Sequence, residues 1–480
     1  MVEQTLRRAD ARPQYRVSKR GKKAAATEFT VYAPAFAEAQ KDLYDKDTNP
    51  KGFIPMCMAE NRTVGAEVEA EFRKVLGELA ADPNFPRHEL CDYGDFSGMH
   101  GFKSAVAQAV STHLAPPEVV VKALEASAET ADQYILKEEK MSPQDVLCVT
   151  NGCGSAMNMI SFCLGEGDGK DCFITTSPAY PVFATDCALE GNVVVKYAVK
   201  TSADDEFKIK LSALDSAYKQ CVSEGYRPRA LITTDPGNPM GSVADVNELR
   251  GIRNWCGMKR MWWISDEIYG CSVHTDCSRP HISALNLPLL EGDIDPPTLV
   301  LWGFSKDMAL SGMRVGLIMN VPRQRDWKLI ETIRHAATKQ YSIFSMVSPV
   351  AQEVCARMLN DEQWLAGFLQ ISRERLTSCK RILCDGLGKL SIPYSEPHAG
   401  LFLWCDLTEF IEPDDQDGLG LFNKLKSDPY RMVVSPGSCF FADKPGMVRF
   451  CYAWMADGEE ACREVIRRLT DFAHETRKGL

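Results

Sequence analysis

From residue 144 the chain alternates short apolar runs with longer amphipathic stretches, and this alternation constrains the fold more than any other feature. The runs are near-continuously apolar and bounded by Gly, Pro or Asp, as in strands that helices cover on both faces. The sequence therefore predicts an α/β fold with three layers and a mostly parallel sheet in the middle. The predicted strands lie in QDVLCVTNG, DCFITTSP, NVVVKYAV, RALITTDP, RMWWISDE, TLVLWGFS and VGLIMN.

The pattern changes after a long helical stretch over 323–359. There AGLFLWCDL, RMVVSPG and GMVRFCYAW read as short strands among helices, which predicts a second, smaller α+β domain. We expect the segment before residue 60 to pack with it. The predicted division is a flexible basic arm over 1–25, a large α/β domain over 61–345, and a small α+β domain built from 26–60 and 346–480.

The composition argues against several classes of partner. A net charge of −10 and a pI near 5.5 argue against nucleic acid as the main partner. No run approaches ~18 uninterrupted apolar residues, so we predict no membrane span. The 18 cysteines are scattered without a C-x-x-C pair, which predicts neither a metal site nor a disulfide framework. We infer a reducing compartment, the cytoplasm.

Polar side chains follow the predicted strands at the points where they end. Because ligands bind at the carboxyl ends of strands in an open parallel sheet, we expect these side chains to meet in one site. Taken singly each has a plainer interpretation: Lys306 in a solvated loop, for example, or Tyr180 as a packing aromatic. The set comprises the Gly-rich turn TNGCGS at 150–155, which opens a helix, with Tyr180, Asn238, Asp266, Tyr269, Lys306 and Arg314.

One ligand uses this whole set, pyridoxal 5′-phosphate (PLP). Its aldehyde forms a Schiff base with a lysine, and its ring nitrogen needs an acid beside it to stay protonated. Its phosphate suits an arginine and the free N–H groups of a helix N-terminus. The sequence therefore predicts Lys306 as the covalent anchor, Asp266 as the acid and Arg314 as the phosphate ligand.

Four blocks, FSKDMALSGMRVG, DPGNPMG, SDEIYG and VRFCYA, occur in an order that resembles fold-type I PLP enzymes of the class I and II aminotransferase group, over about residues 44–465. The resemblance implies that Lys306 also moves the proton at the substrate Cα, and that Arg449 binds the substrate α-carboxylate rather than forming a surface ion pair. The coenzyme contacts that it implies are Asp266 at the ring nitrogen, Tyr269 and Asn238 at the phenolic oxygen, Tyr180 on the ring, and Arg314 with the N–H groups of Cys153 and Gly154 at the phosphate.

The segment NPKGFIPMCMAENRT, residues 49–63, is similar to one in 1-aminocyclopropane-1-carboxylate (ACC) synthases. In those enzymes its glutamate lies near the S-adenosylmethionine side chain, so the resemblance assigns that place to Glu60. The alternative for Glu60 is an acid at the N-terminus of the helix in AEVEAEF.

Two positions depart from the family pattern. The phosphate-binding serine expected three residues before the lysine is Gly303 here, a loss of about 1.5–3 kcal/mol for one charged hydrogen bond; Ser155 or Ser305 can substitute. The tyrosine that ACC synthases contribute across a dimer interface aligns with Phe96 without gaps, or with Tyr93 if the loop is longer, and we favour Tyr93. The resemblance implies a homodimer.

These expectations point to a lyase or transferase that acts on an amino acid, S-adenosylmethionine foremost, with Cα deprotonation and loss of methylthioadenosine from Cγ. Cyclisation and γ-substitution both remain open, and transamination between an amino acid and a 2-oxo acid is the alternative. A regulator without catalytic activity is disfavoured, because such a protein is expected to lose Lys306 or Asp266.

Overall fold

The computed structural model describes residues 18, 21–22, 31–120, 134–135, 140–344 and 346–479. Most of the predicted basic arm over 1–25 lies outside the described residues. Among the residues described, no helix is both long and apolar enough to cross a membrane.

A seven-stranded mixed sheet forms the centre of the fold, as the alternation predicts. Four neighbouring pairings are parallel, and one strand, Gly316–Asn320, runs antiparallel to both of its neighbours. The mostly parallel α/β fold is therefore confirmed. From one edge to the other the strands are Val146–Thr150, Gly316–Asn320, Thr298–Gly303, Trp262–Asp266, Arg227–Thr234, Asp171–Ser177 and Val194–Lys200.

Successive residues of the central strands enter two different apolar clusters. In Thr298–Gly303, Val300 and Trp302 belong to one cluster, whereas Leu299 and Leu301 belong to the other. Since successive side chains of a strand point to opposite faces, both faces of this sheet are buried. The helices of this part of the chain are Gly65–Ala81, Arg87–Cys91, His100–Ala109, Cys153–Leu164, Phe183–Leu189, Leu211–Ser223, Val246–Lys259, Lys328–Phe344 and Pro349–Asn360.

A second, antiparallel sheet lies toward the C-terminus. It contains, in order, Tyr394–Ser395, Phe402–Asp406, Met447–Cys451 and Ser435–Pro436. Nearby, Ile54–Pro55 pairs in parallel with Met432–Val433. The associated helices are Ala33–Ala39, Glu362–Lys389, Leu419–Lys426 and Gly458–Gly479.

Candidate active site

Lys306 lies in the loop that follows the buried strand Thr298–Gly303. Its Nζ donates a hydrogen bond to the carbonyl oxygen of Ala59, 2.5 Å away. Burial lowers the pKa of Lys306 from its usual value, because a charged ammonium loses hydration there. The interpretation of Lys306 as a lysine in a solvated loop is therefore wrong, and its amine is less basic than that of an exposed lysine.

Asp266 is the last residue of the strand Trp262–Asp266 and is only 6% exposed. Its Oδ1 has no hydrogen-bond partner among the described residues. Burial, with a smaller effect of the Glu267 charge, raises the pKa of Asp266 to about 7. A buried acceptor without a donor is uncommon in folded proteins, and a protonated ring nitrogen is the kind of donor that satisfies it.

The Gly-rich turn places N–H groups at the start of a helix beside a guanidinium. The helix Cys153–Leu164 follows Gly152, and its first intrahelical donor is Ala156 N, which bonds Gly152 O at 3.2 Å. The preceding N–H groups have no place in the helical ladder. A Cβ at Gly152 would lie 2.3 Å from Arg314 Nη2, so only glycine allows this approach. N–H groups beside an arginine suit a phosphate.

Arg314 is oriented by its own loop and by the turn opposite. It has a left-handed backbone, with φ of 55°. Its Nη1 donates to Ser311 O at 2.9 Å and to Ser305 Oγ at 3.4 Å, and Nη2 donates to Asn151 O at 3.4 Å. Ser305, one of the two predicted substitutes for the missing serine, therefore contacts the predicted phosphate ligand.

Gly303 has no room for the serine of the family pattern. A Cβ there would lie 2.8 Å from the carbonyl oxygen of Val315 and 3.3 Å from the sulfur of Cys153. The Cys153 thiol itself lies 3.4 Å from the carbonyl oxygen of Trp302. The space beside this strand end is therefore taken by backbone and by the Cys153 side chain.

Arg449 lies on the strand Met447–Cys451 and is only 3% exposed, so the surface ion-pair interpretation is wrong. Its Nη1 donates to Asn238 Oδ1 at 3.0 Å, and Nη2 donates to Cys57 O at 2.6 Å and Ser435 Oγ at 3.3 Å. Nε has no partner among the residues that the structure describes. Among the described residues no carboxylate bonds this buried guanidinium, and its unsatisfied donor suits an anionic ligand.

Aromatic rings surround these polar groups. The Arg449 guanidinium carbon lies 4.9 Å from the centroid of the Phe402 ring and 4.7 Å from that of Phe440. Tyr269 is buried and meets Phe402 edge to face, with centroids 5.0 Å apart. Tyr180 is part-buried, and burial raises the pKa of its phenol, as do the charges of Asp186 and Asp266.

The ACC-synthase-like segment lies against the lysine. Ala59 accepts the Lys306 hydrogen bond, and the charge of the neighbouring Glu60 acts to raise the pKa of Lys306. The next helix begins only at Gly65, and its first-turn acid is Glu67. The interpretation of Glu60 as a helix N-terminal acid is therefore wrong.

Tyr93 is 89% exposed and stacks on Phe96, with ring centroids 6.0 Å apart. Phe96 instead packs against the apolar cluster of the large sheet. Of the two candidates for the cross-subunit position, Tyr93 is the one that presents its ring to solvent.

Asp307 is a buried acid that the sequence analysis missed. Its Oδ2 accepts hydrogen bonds from Cys271 N at 2.9 Å and from Trp302 Nε1 at 2.8 Å, and Oδ1 accepts one from Ser272 Oγ at 2.5 Å. These bonds hold the loop that carries Lys306 against the turn after Tyr269. An acid directly after the lysine, in an otherwise apolar stretch, was the available signal.

Known proteins share this sequence pattern and this fold. A family model described as aminotransferase class I and II matches residues 92–469. An ACC synthase of Glycine max is 28% identical over 462 residues, which is 94% of this chain and 86% of that protein. ACC synthase 7 of Arabidopsis thaliana is 26% identical over 458 residues, 94% of each chain.

Solved structures extend the likeness to the fold. A mutant aspartate aminotransferase of Thermus thermophilus matches with a TM-score of 0.69 at 19% identity, over 95% of this chain and 100% of that chain. A tyrosine aminotransferase of Leishmania infantum matches with a TM-score of 0.68 at 16% identity, over 97% of this chain and 99% of that chain.

The sheet and the donor set at its strand ends are those of a PLP-dependent enzyme of fold type I. An acid with an unpaired oxygen, N–H groups beside a guanidinium, and a lysine of lowered pKa fit the ring nitrogen, the phosphate and the aldehyde of PLP. The chain belongs to the aminotransferase class I and II family, and it is ACC synthase-like. The predicted enzyme class and coenzyme are confirmed.

Proposed function

We propose that this enzyme acts on S-adenosylmethionine, removes its Cα proton and releases methylthioadenosine from Cγ. The observation that supports this most is the contact between Lys306 and the ACC-synthase-like segment, in which Ala59 O accepts the Lys306 hydrogen bond. The similarity to ACC synthases over 94% of the chain supports the same substrate class.

In this proposal the chain's own residues divide the work between coenzyme and substrate. PLP, when bound, supplies an electron sink that stabilises negative charge at Cα. Asp266 keeps the ring nitrogen protonated, while Tyr269 and Asn238 donate to the phenolic oxygen and Tyr180 covers the ring. The phosphate is held by Arg314, Ser305 and the N–H groups of Cys153 and Gly154.

Three groups act on the substrate. Arg449 binds the α-carboxylate, and because its guanidinium is held between Phe402 and Phe440 it has few other orientations. Lys306, with its lowered pKa, is the base that removes the Cα proton. The charge of Glu60 acts on the pKa of Lys306, so Glu60 lies near the lysine. We assign to Glu60 the role of attracting the positively charged sulfonium of the substrate.

Two outcomes follow loss of the Cα proton. In cyclisation, the Cα electron pair attacks Cγ and a carbon–carbon bond forms. The carbon–sulfur bond breaks, and its electron pair leaves with methylthioadenosine. In γ-substitution, a Cβ proton is also removed, methylthioadenosine leaves from Cγ with the electrons of the carbon–sulfur bond, and an external nucleophile then adds at Cγ while Cβ regains a proton. Both need Cγ and its leaving group held in line, which is a matter of positioning.

Transamination is the second candidate, and the Gly303 departure favours keeping it. A changed phosphate environment would change how the bound coenzyme is presented to Lys306, and the position of that amine would decide where the proton returns. In transamination Lys306 would return the proton to the coenzyme instead of a group leaving from Cγ; the amino group would then stay with the coenzyme, and water would release the 2-oxo acid.

We further propose a homodimer, in which Tyr93 reaches the site of the neighbouring subunit. Its high exposure in the single chain is what supports this, since a side chain destined for an interface is uncovered until the partner binds.

The test is incubation of the PLP-loaded protein with S-adenosylmethionine, with methylthioadenosine followed by chromatography. We expect release over many turnovers, abolished in Lys306→Ala and unchanged in Lys219→Ala, which alters an exposed lysine. Glu60→Gln should reduce release about tenfold. Product mass then separates cyclisation from substitution. No release from protein with normal coenzyme absorbance, together with 2-oxo acid formation from other amino acids, would favour transamination.

A further inference from the structure

A buried charged cluster lies behind the strand ends and is not explained by the proposed reaction. Its members are Asp235, Asp266, Glu267, His281 and Asp307, all of them buried. Only Asp266 is assigned to the coenzyme. Buried carboxylates are costly unless charges or hydrogen bonds compensate them, so the remaining groups require a structural or electrostatic role.

His281 lies between two of the carboxyl groups. Its Nδ1 is 3.1 Å from Asp235 Oδ2, at hydrogen-bond distance. Its Nε2 is 3.4 Å from Glu267 Oε2, at ion-pair distance but outside hydrogen-bond geometry. The three side chains are no more than 8% exposed. An imidazole flanked by two carboxylates on both nitrogens is favoured in its protonated form.

The outer oxygen of each carboxyl group accepts hydrogen bonds from other parts of the chain. Asp235 Oδ1 accepts from Ala244 N at 2.9 Å. Glu267 Oε1 accepts from Ser265 Oγ at 2.9 Å and from Ala284 N at 2.8 Å. Each carboxyl group therefore has its inner oxygen turned to His281, and rotation away from the imidazole would break these bonds.

The bridge that His281 forms between Asp235 and Glu267 connects two predicted coenzyme ligands, Asp266 and Asn238. Glu267 directly follows Asp266, and Asp235 N donates to Asp266 O at 3.0 Å. Asp235 also begins the loop that carries Asn238. His281 thus connects two parts of the site: the strand end that carries Asp266 and the loop that carries Asn238.

We infer that His281, as an imidazolium between Asp235 and Glu267, is a positioning residue that keeps Asp266 ionised against the coenzyme ring nitrogen. The inference rests on the PLP dependence of the family and not on the proposed reaction. Burial lowers the pKa of His281, but the two carboxylates outweigh burial and raise it to about 10. Burial raises the pKa of Asp266, and the Glu267 charge adds to this rise; burial also raises the pKa of Asp307, and there the His281 charge acts in the opposite direction.

Without the imidazolium, the Glu267 charge, which already raises the pKa of Asp266, is no longer offset by His281, so Asp266 takes up a proton more readily. A neutral acid holds a protonated ring nitrogen poorly. Positive charge on the coenzyme ring lowers the pKa of the linkage between the coenzyme and Lys306. Loss of that ring charge therefore raises the pH at which the visible absorbance of the bound coenzyme changes.

The experiment compares His281→Asn with His113→Asn in the PLP-loaded protein. His113 is also largely buried and has one carboxylate neighbour, Glu362 at 3.6 Å, but it has no part in the bridge. We expect His281→Asn to raise the absorbance transition by about one pH unit and the PLP dissociation constant about tenfold. His113→Asn should move neither. An unshifted titration in His281→Asn would overturn the inference, whatever its thermal stability.

The double variant His281→Asn with Glu267→Gln keeps the test decisive if the single variant folds poorly. Removing the imidazolium and the Glu267 charge together restores the electrostatic balance around Asp266, so the transition should return toward the wild-type pH. If the double variant shifts as far as His281→Asn alone, Glu267 does not transmit the effect and the inference is wrong. Neither readout needs a substrate, so the result is independent of the reaction.

Discussion

At the scale of single residues, Asp266 combines two opposed requirements. The coenzyme needs an ionised acid, yet burial raises the pKa of Asp266 to about 7, well above the usual 3.8. The folded protein without coenzyme therefore binds more protons here than the unfolded chain does between about pH 4 and 7. Stability from this group is present below pH 4 and is lost as the pH rises through 7.

We expect Asp266→Asn to stabilise the coenzyme-free protein at pH 8 by about 1–4 kcal/mol, because the buried charge is removed. The gain should vanish toward pH 4, where the wild-type acid is already neutral. The same variant should bind PLP more weakly. Urea unfolding at several pH values measures the effect, with Asp204→Asn as an exposed control. A gain that is independent of pH would contradict this account.

Several candidate residues could be predicted from the sequence because each follows an apolar strand or falls in a recognisable block. The structure places Lys306, Asp266 and Arg314 at strand ends of one sheet, and their roles stay predictions. The bridge of His281 with Asp235 and Glu267 could not be predicted in this way. It forms where three separate segments meet, and no spacing in the sequence records such a meeting.

At the scale of elements, the end of the strand Thr298–Gly303 is the most crowded. A serine at Gly303 would press its Cβ on the Val315 carbonyl and the Cys153 sulfur. We therefore expect Gly303→Ser to lower the free energy of unfolding by about 1–3 kcal/mol, not to restore a phosphate contact. Adding Cys153→Ala should recover part of the loss. Chemical denaturation measures both, and tighter PLP binding by Gly303→Ser would disprove this interpretation.

The strands of the large sheet could be predicted almost completely, since burial on both faces makes central strands such as Thr298–Gly303 near-continuously apolar. Their order could not, and neither could the antiparallel direction of Gly316–Asn320. In retrospect the loop 304–315 carries the signal, because it contains no crossover helix, and parallel neighbours need one. The same loop carries Lys306 and Arg314. Their short separation along the chain follows from the antiparallel connection, which needs no crossover helix.

At the scale of the whole molecule, the proposed dimer predicts complementation between inactive proteins. If Tyr93 serves the neighbouring subunit's site, mixed subunits of Lys306→Ala and Tyr93→Ala form one intact site in each heterodimer. Unfolding and refolding an equal mixture should restore about a quarter of wild-type activity, because half of the dimers are mixed and each has one working site. A mixture of Tyr93→Ala with the double variant Lys306→Ala, Tyr93→Ala is the control, because it contains no intact site, and recovery no greater than in this control would count against the shared site.

Arg449 and Cys57, joined by a hydrogen bond, are 392 residues apart in the chain. At synthesis rates of about 5–20 residues per second, Cys57 leaves the ribosome roughly 20–80 s before Arg449. The large sheet is translated entirely within that interval. Assembly of the proposed carboxylate site is thus one of the last events in biogenesis, and a nascent chain can complete its central sheet while still unable to hold a substrate.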